Sequence, residues 1–581
     1  MAQTTALKMV EDTDRAVEVA SYTLVTSPEG VRTAVALLNE APLVALDLET
    51  TGLDSRRDRV RLLSVSVEGH CFVLDCAVID PAPLLKVLSG KRLVGHNISF
   101  DLGFMAGWGF EAEDVQDTMV LDILLHAGDN GVRHGLRDVA KRELGLDVSK
   151  ELQRSDWTGK LSDEQIEYSA ADASILLPVY ASLRQAIDEE GLSRVAEVEN
   201  RSLPAVVWMA QCGVPVDAAA WGQIAVEVDA DADRLRAELD GAAPRPPILD
   251  LGFGWNWDSP QEVRNALLLA GCDLPNANED TLSATDHPLA NLLRRYRENR
   301  KLASTYGKEW LKHVENGRVY PAWRLMGAQS GRMACSNPNL QQIPRDRRFR
   351  SCIAAPPGRV LVKADYSQVE LRIAARMAPE ERMRAAYETG EDLHTLTAQR
   401  VLGNEVVSKS DRQLAKAINF GLLYGMGAEG FRRYARVQYG LFLSEEEAAR
   451  YRAAFFDTYP GLREWHRRVR MDRVSHTHTL SGRRCSVTKE TPLPLRLNLP
   501  VQGTGADGLK RALALLRKRR HTMPGAFPII ACHDEIVIEC PEELATEASK
   551  WLRSAMMDGM APLIRPVPVE VEVSVGRTWA G

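Results

Sequence analysis

Acidic residues stand at chemically suggestive spacings in two separate parts of this 581-residue chain. In Val44-Ala45-Leu46-Asp47-Leu48-Glu49 the two-residue repeat of a strand puts Asp47 and Glu49 on one face and sends Leu46 and Leu48 toward a core. Two like charges side by side are costly unless a cation lies between them. Thr50-Thr51-Gly52 ends the strand, which is expected to leave both carboxylates at a sheet edge where a cleft opens. Gly95-His96-Asn97-Ile98-Ser99-Phe100-Asp101 supplies a third acid just past a short apolar strand. Tyr168-Ser169-Ala170-Ala171-Asp172 then sets a phenol and a fourth acid at i and i+4 on one helix face. Four carboxylates and a tyrosine from three segments suit two Mg²⁺ or Mn²⁺ ions about 3.5–4 Å apart, one generating a hydroxide and the other stabilising a leaving oxygen. Any one of these acids alone reads better as a surface residue or a helix cap; as a set they do not.

The second group begins with Leu361-Val362-Lys363-Ala364-Asp365, an apolar strand ending in an aspartate, and runs at once into the amphipathic helix that carries Glu370. Far downstream, Ile529-Ile530-Ala531-Cys532-His533-Asp534-Glu535-Ile536-Val537-Ile538 has two apolar arms about a polar centre and reads as a β-hairpin with acids at its tip. If strand and hairpin are neighbours in one sheet, Asp365 and Asp534 can share two Mg²⁺ ions, the requirement of nucleotidyl transfer. Between them, Arg412, Lys416, Phe420 and Tyr424 drift only about 40° per step on a helix and form one stripe of two cations and two aromatics. Such a stripe fits a nucleotide, phosphates at the cations and base and sugar at the rings. A core aromatic pair beside snorkelling cations is the alternative, and it is preferable only if the acids are ignored.

These residues need elements to hold them. Ser27-Pro28 caps a helix running to about Glu40, and strands are expected at residues 21–26, 43–49, 60–67, 71–74 and 93–95, with helices dominating from there to about 191. That alternation implies an α/β domain with a mixed sheet. Residues 192–325 read as mainly helical, with the Pro- and Gly-rich run 244–254 as a loop or linker. Beyond them come a strand at 360–364, a long helical block from 369 to 473, a helix at 504–519, and strand segments at 527–539 and 568–575. Helices inserted between distant strands of one sheet imply an α+β unit.

Composition sets outer bounds. With 45% apolar and 26% charged residues the chain is ordinarily globular, and it has no run of roughly 18 uncharged apolar residues to span a membrane. Nine cysteines without a C-x-x-C pair indicate core thiols rather than disulfides or zinc. A net charge of −7 does not exclude nucleic acid, because local patches attract phosphate. Three such patches are present: Arg345, Arg347, Arg348 and Arg350; Arg294 to Lys301; and Lys510 to Arg520. Each alone reads better as a solvated helix face.

The first acidic segments resemble the three exonuclease motifs of the proofreading domain in family A DNA polymerases, a superfamily that includes ribonuclease D. The resemblance implies that Asp47, Glu49, Asp101 and Asp172 bind metal, that Tyr168 orients the attacking water, and that Asn97 fills the family's DNA-contacting asparagine position. The later segments are similar to the polymerase motifs of the same family, in the same order. By that likeness Asp365 and Asp534 bind the catalytic metals and Glu535 supports them. His533 belongs to the same motif, beside the incoming nucleotide. Arg412 and Lys416 grip the triphosphate, with Lys416 as a proton donor to pyrophosphate. Phe420 and Tyr424 line the nucleotide pocket, and Glu370 is the steric gate against ribonucleotides. Gly331-Arg332, Asn337 and Gln341 in Asn337-Pro338-Asn339-Leu340-Gln341-Gln342, and Asn498 and Gln502 match the family's primer–template contacts.

The implied fold is multidomain α/β and α+β: a ribonuclease H-like 3′-5′ exonuclease domain at 1–191, a thumb and connecting region at 192–325, and a palm at 326–581 into which fingers of about 375–475 are inserted. The implied enzyme is a cytoplasmic monomer, in the host if phage-encoded, that takes primer–template DNA and dNTPs with two Mg²⁺ per site. The family's further 5′-nuclease domain is expected to be absent, since exonuclease motifs begin at Asp47. Pro494 stands where the family has an arginine, and Arg496 is the candidate substitute. Rival readings are weaker. A ribonuclease D-type nuclease, or an exonuclease with an inactive polymerase module, leaves Asp365, Arg412 and Asp534 idle. A single-subunit RNA polymerase lacks reason for Glu370, and a scaffold protein would have lost acids.

Overall fold

The computed structural model describes residues 4–6, 21–129, 131–148, 152–245, 254–344, 346–472 and 474–581. These fall into two compact units. One comprises the chain up to Cys212 together with Pro321–Ser336 and Val362–Val575; the other comprises Gly213–Tyr320, Asn337–Leu361 and Gly576–Gly581.

The first unit opens with a seven-stranded sheet built from β1 (Thr4–Ala6), β2 (Ser21–Val25), β3 (Leu43–Thr50), β4 (Val60–Val67), β5 (His70–Asp75), β6 (Arg92–Gly95) and β7 (Asp114–Asp117), in the spatial order β1-β2-β5-β4-β3-β6-β7. It is mixed: β3 pairs antiparallel with β4 and parallel with β6. Leu46, Leu48, Leu63, Val65, Phe72 and Leu74 join one core with the helix Pro28–Glu40, whose Ser27 hydroxyl accepts the Gly30 N–H as its N-cap. The other face of β3 packs Ala45 and Val94 on Leu176. The sequence Asp-Val-Gln-Asp carries no apolar alternation, so β7 does not announce itself; pairing with β6 from Arg92↔Asp114 to Gly95↔Asp117 makes it a strand. The helices that serve the sites here are α1 (Ser99–Met105), α2 (Thr118–Leu125), α3 (Asp163–Glu189) and α4 (Ser193–Cys212).

The same unit holds a four-stranded sheet of β8 (Arg359–Tyr366), β9 (Phe527–Cys532), β10 (Glu535–Pro541) and β11 (Val571–Gly576), ordered β9-β10-β8-β11. The helices around it include α5 (Val369–Met377), α6 (Leu393–Thr397), α7 (Lys409–Leu423), α8 (Leu493–Lys518) and α9 (Ala545–Ile564). α8 begins well before the expected residue 504. Pro492 and Leu493 open it and Pro500 sits within it, because burial of Leu497, Leu499 and Val501 outweighs the hydrogen bond that an internal proline removes. Tyr366 is fully enclosed, its hydroxyl donating to the Met556 carbonyl at 2.7 Å, and so ties the end of β8 to α9.

The second unit is organised on the helices Ala218–Ala242 and Pro288–Tyr306. Trp221 stacks on Trp310 with ring centroids 3.7 Å apart and meets Phe349 edge-on at 5.2 Å. Residues 246–253 of the expected linker, and Arg345 of the first basic patch, lie outside the described residues. All nine cysteines are free thiols, seven of them buried. Among the described residues no helix is long and apolar enough to cross a membrane.

Candidate active sites

Asp47 and Glu49 lie on the same face of β3, near its C-terminal end. The strand ends at Thr50, as expected, which leaves both acids near the end of the sheet; β3 itself runs between β4 and β6 in the sheet interior, and the acids face α3. Buried strands on both sides keep these carboxylates at a fixed spacing. Carboxylate oxygens of Asp47, Glu49 and Asp172, the last from α3, lie within 4.8 Å of one another. Asp101, on α1, accepts the Leu48 N–H at 3.1 Å and thus fastens its helix to β3 between the two strand acids. Burial, and then Glu49, Asp101 and Asp172, drives the Asp47 carboxyl far above the usual range. Burial, followed by Asp172 and Asp101, pushes Glu49 up to about 9. Tyr168 rises too, first through burial and then through Asp172 and Glu49. Such a set is electrostatically incomplete without protons or cations, and hard oxygen donors at this spacing suit Mg²⁺ or Mn²⁺.

One residue that sequence reading passed over holds this site. Asp117 is the N-cap of α2, accepting from Met119 N at 2.9 Å, and it also accepts the Asn97 and Ile98 N–H groups at 3.0 and 3.1 Å. Asn97 has φ +57, and these bonds fix the turn that delivers Asp101. The signal was the Asp-Thr-Met helix start, legible only as a cap.

The second set assembles at the other sheet. β8 and β10 are neighbours, and the Tyr366 N–H donates to the Asp534 carbonyl at 3.2 Å, so Asp365 and Asp534 meet where the strand passes the hairpin turn. His533, in that turn, has φ +57. Burial first, then Asp534, Glu535 and Glu572, pushes Asp365 up to about 8. Glu572, on β11, was not among the expected residues; the alternating Val571-Glu572-Val573 gave it no distinction from any solvated strand position. Burial raises Asp534 as well.

Glu370, on α5, accepts from the Tyr424 hydroxyl at 2.7 Å and meets Arg332 Nη2 at 3.5 Å. Tyr424 closes α7 as its C-cap, one residue beyond the helix that the stripe reading gave it. Arg412 and Lys416 are exposed on that helix, and Phe420 stands 5.9 Å from the His394 ring. Arg412 donates from Nε to Asp392 at 2.7 Å. Burial opposes ionisation of Asp392, but hydrogen bonds from Arg412 and Thr395 prevail and hold its carboxyl down at about 2. Asn498 and Gln502 share a face of α8, and the buried Asn498 Oδ1 has no hydrogen-bond partner among the described residues. Arg496 does not project freely: its Nη2 donates to the Asp472 carbonyl at 2.5 Å. Asn337 and Gln341 belong to the second unit, where Asn337 is exposed with φ +55.

The third basic patch is neither a solvated face nor a free cationic surface. Lys510 is fully buried on Glu199, Arg517 and Arg520 pair with Glu111, and Arg519 pairs with Asp558.

Residues 256–581 match the family model for DNA polymerase family A, and residues 22–188 match the model for a 3′-5′ exonuclease. The chain is 33% identical to DNA polymerase I of Aquifex aeolicus over 96% of its own length and 99% of the relative's. Identity to DNA polymerase I of Pseudomonas aeruginosa is 28%, over 96% of this chain and 66% of the relative. The thermostable DNA polymerase I of Thermus aquaticus is 32% identical over 72% of this chain and 52% of its own. In fold the chain is similar to the polymerase domain of Pol1 from M. smegmatis, solved in complex with DNA primer-template and dNTP, with a TM-score of 0.82 at 24% identity over 96% of this chain and 99% of that one. The chain belongs to DNA polymerase family A, and it carries a 3′-5′ exonuclease domain ahead of the polymerase domain.

Proposed function

We propose that the chain extends a DNA primer with dNTPs at Asp365 and Asp534 and proofreads by removing 3′-terminal nucleotides at Asp47, Glu49, Asp101 and Asp172. The observation that carries this reading is the presence of two separate clusters of mutually destabilised carboxylates, one at each sheet. Divalent cations bound there, Mg²⁺ or Mn²⁺ and two per site, would lower the pKa of the attacking oxygen and balance charge on the leaving one. The protein's own groups do the rest. Tyr168 orients water toward the terminal phosphodiester. Arg412 and Lys416, exposed on α7, bind the triphosphate, and Lys416 Nζ holds a proton for the departing pyrophosphate. Phe420 and Tyr424 give the nucleotide an apolar wall. Glu370, held by Tyr424 and Arg332, fills the space that a 2′-hydroxyl would need. Arg332, Asn337, Gln341, Asn498 and Gln502 contact primer–template. Residues of about 375–475 serve as fingers on the palm.

The test is separation of function on a primed template with Mg²⁺. Asp365→Ala or Asp534→Ala should abolish extension and spare 3′-end degradation, while Asp47→Ala or Asp101→Ala should do the reverse. A single substitution that removed both activities from folded protein would sink the two-site reading. No extension by the unsubstituted chain would leave an exonuclease with an inactive polymerase module.

A further inference from the structure

Glu199, Arg483, Asp507 and Lys510, which neither acid set uses, form one buried cluster of charges. Arg483 ends the turn between the short strands His476–His478 and Arg484–Ser486, and its side chain is 1% exposed. Its Nε and Nη2 donate to Asp507 Oδ1 at 3.0 and 2.5 Å, and Nη2 also donates to Glu199. Lys510 Nζ donates to both oxygens of Glu199, at 2.6 and 2.8 Å. The hydroxyls of Thr479 and Ser481 donate to the remaining oxygen of Asp507. Two cations and two anions cancel, and their hydrogen bonds leave the guanidinium a single orientation.

That orientation aims it at Gly331. A Cβ at residue 331 would lie 2.5 Å from Nε, 2.6 Å from Cζ and 2.9 Å from Nη1 of Arg483. Nη1 has no hydrogen-bond partner among the described residues. An arginine tip ordinarily swings away from such an encroachment; this one is tied by two buried carboxylates. Gly331 has φ +82 and sits in a turn closed by its own N–H to the Ala328 carbonyl at 2.8 Å and by Gly327 N–H to the Arg332 carbonyl at 2.9 Å. On its other side the turn presses on α8, where a Cβ on Gly503 would come 2.8 Å from the Ser330 carbonyl. The residue that leaves this clamped turn is Arg332, and Arg332 meets Glu370.

We infer that Arg483 is a positioning residue for sugar selection: its locked guanidinium is the floor under the Gly331 turn, and through that turn it sets where Arg332 holds the Glu370 carboxylate. This rests on the reading of Glu370 as the gate against ribonucleotides. A purely structural Arg483 would affect thermal stability and leave the choice of sugar unchanged.

Single-nucleotide primer extension with dNTP and with rNTP separates these roles, comparing the unsubstituted chain, Arg483→Lys, Glu370→Ala and the double variant. Arg483→Lys keeps the buried charge and removes the planar fork. Its ratio of kcat/KM for dNTP over rNTP should fall about ten- to a hundredfold, the scale of a small misplacement transmitted from a distance. The double variant should be no less selective than Glu370→Ala alone, because both changes act through one carboxylate. If Glu370→Ala lowers the ratio and Arg483→Lys does not, or if the two effects multiply, the inference is wrong. If Glu370→Ala leaves the ratio unchanged, the gate reading fails first and takes the inference with it. Should Arg483→Lys not fold, the pair Glu199→Gln/Arg483→Gln removes one charge of each sign and is measured in the same way.

Discussion

A carboxylate among carboxylates has two ways to be stable: keep a proton or hold a cation. Glu49 and Asp365 take the first way in the cation-free protein, with pKa values raised to about 9 and about 8. A raised carboxyl pKa means that the folded chain retains a proton the unfolded chain has lost, so stability falls as pH rises. For Glu49 that window runs from its ordinary 4.5 up to about 9, and for Asp365 from 3.8 up to about 8. Divalent cations offer the second way by replacing the protons, and binding releases them. With chelator present, the Tm should therefore fall as pH is raised through this window. The rise in Tm on adding Mg²⁺ should be largest at its alkaline end. Differential scanning fluorimetry over pH, with chelator and with Mg²⁺, reads both; a Mg²⁺ increment independent of pH would show that these acids do not hold the ion.

At the scale of elements, the sites depend on how strands and helices end. Asp117 gathers N–H groups from the start of α2 and from the turn before α1, so one side chain fixes two helices relative to β3. Asp117→Ala leaves these donors buried and should cost roughly 2 kcal/mol or more. It should lower 3′-end degradation with little change in primer extension, and Asp117→Asn, which keeps one acceptor oxygen, should lose less. Equal loss of both activities would place its effect on the whole unit instead. What the sequence made legible follows the same division. The apolar strands Leu43–Thr50 and Val60–Val67 and the capped helix Pro28–Glu40 show in periodicity and cap chemistry because local preference and tertiary role agree there. The polar strand Asp114–Asp117 and the early start of α8 do not, since pairing and burial decide them against local preference. The acids and the α7 stripe were readable as residue types at spacings. Their partners Asp392 and Glu572, and the Arg483 floor, arrive from distant segments, and no spacing reveals them.

Over the whole molecule the question is what joins the exonuclease sheet to the polymerase sheet within the first unit. Among the described residues three sets of ion pairs connect them, one of them the pair of Arg484 with Glu190 at 2.8 Å. Arg517 and Arg520 at the end of α8 meet Glu111 and Glu113, acids that are more than half exposed. Arg483, which also pairs with Asp507, and Lys510 close on Glu199 of α4, all of them essentially without solvent contact. Fully exposed pairs contribute roughly 0–1 kcal/mol and weaken with salt, and removing one member of a buried set strands its partners and costs roughly 3–5 kcal/mol. The Glu111 and Glu113 pairs, with largely buried arginines and solvated acids, fall between these limits. Glu199→Ala should therefore lower Tm sharply and to the same extent at low and high salt. It leaves Lys510 and part of Arg483 buried against too little negative charge. Glu111→Ala with Glu113→Ala leaves the largely buried Arg517 and Arg520 without these acids and should also lower Tm, but by less than Glu199→Ala, and the loss should shrink in high salt because the acids face water. Thermal melts of both variants across ionic strength check this. A loss in the Glu111/Glu113 variant larger than that of Glu199→Ala would mean that these half-exposed pairs, not the buried cluster, hold the two sheets together.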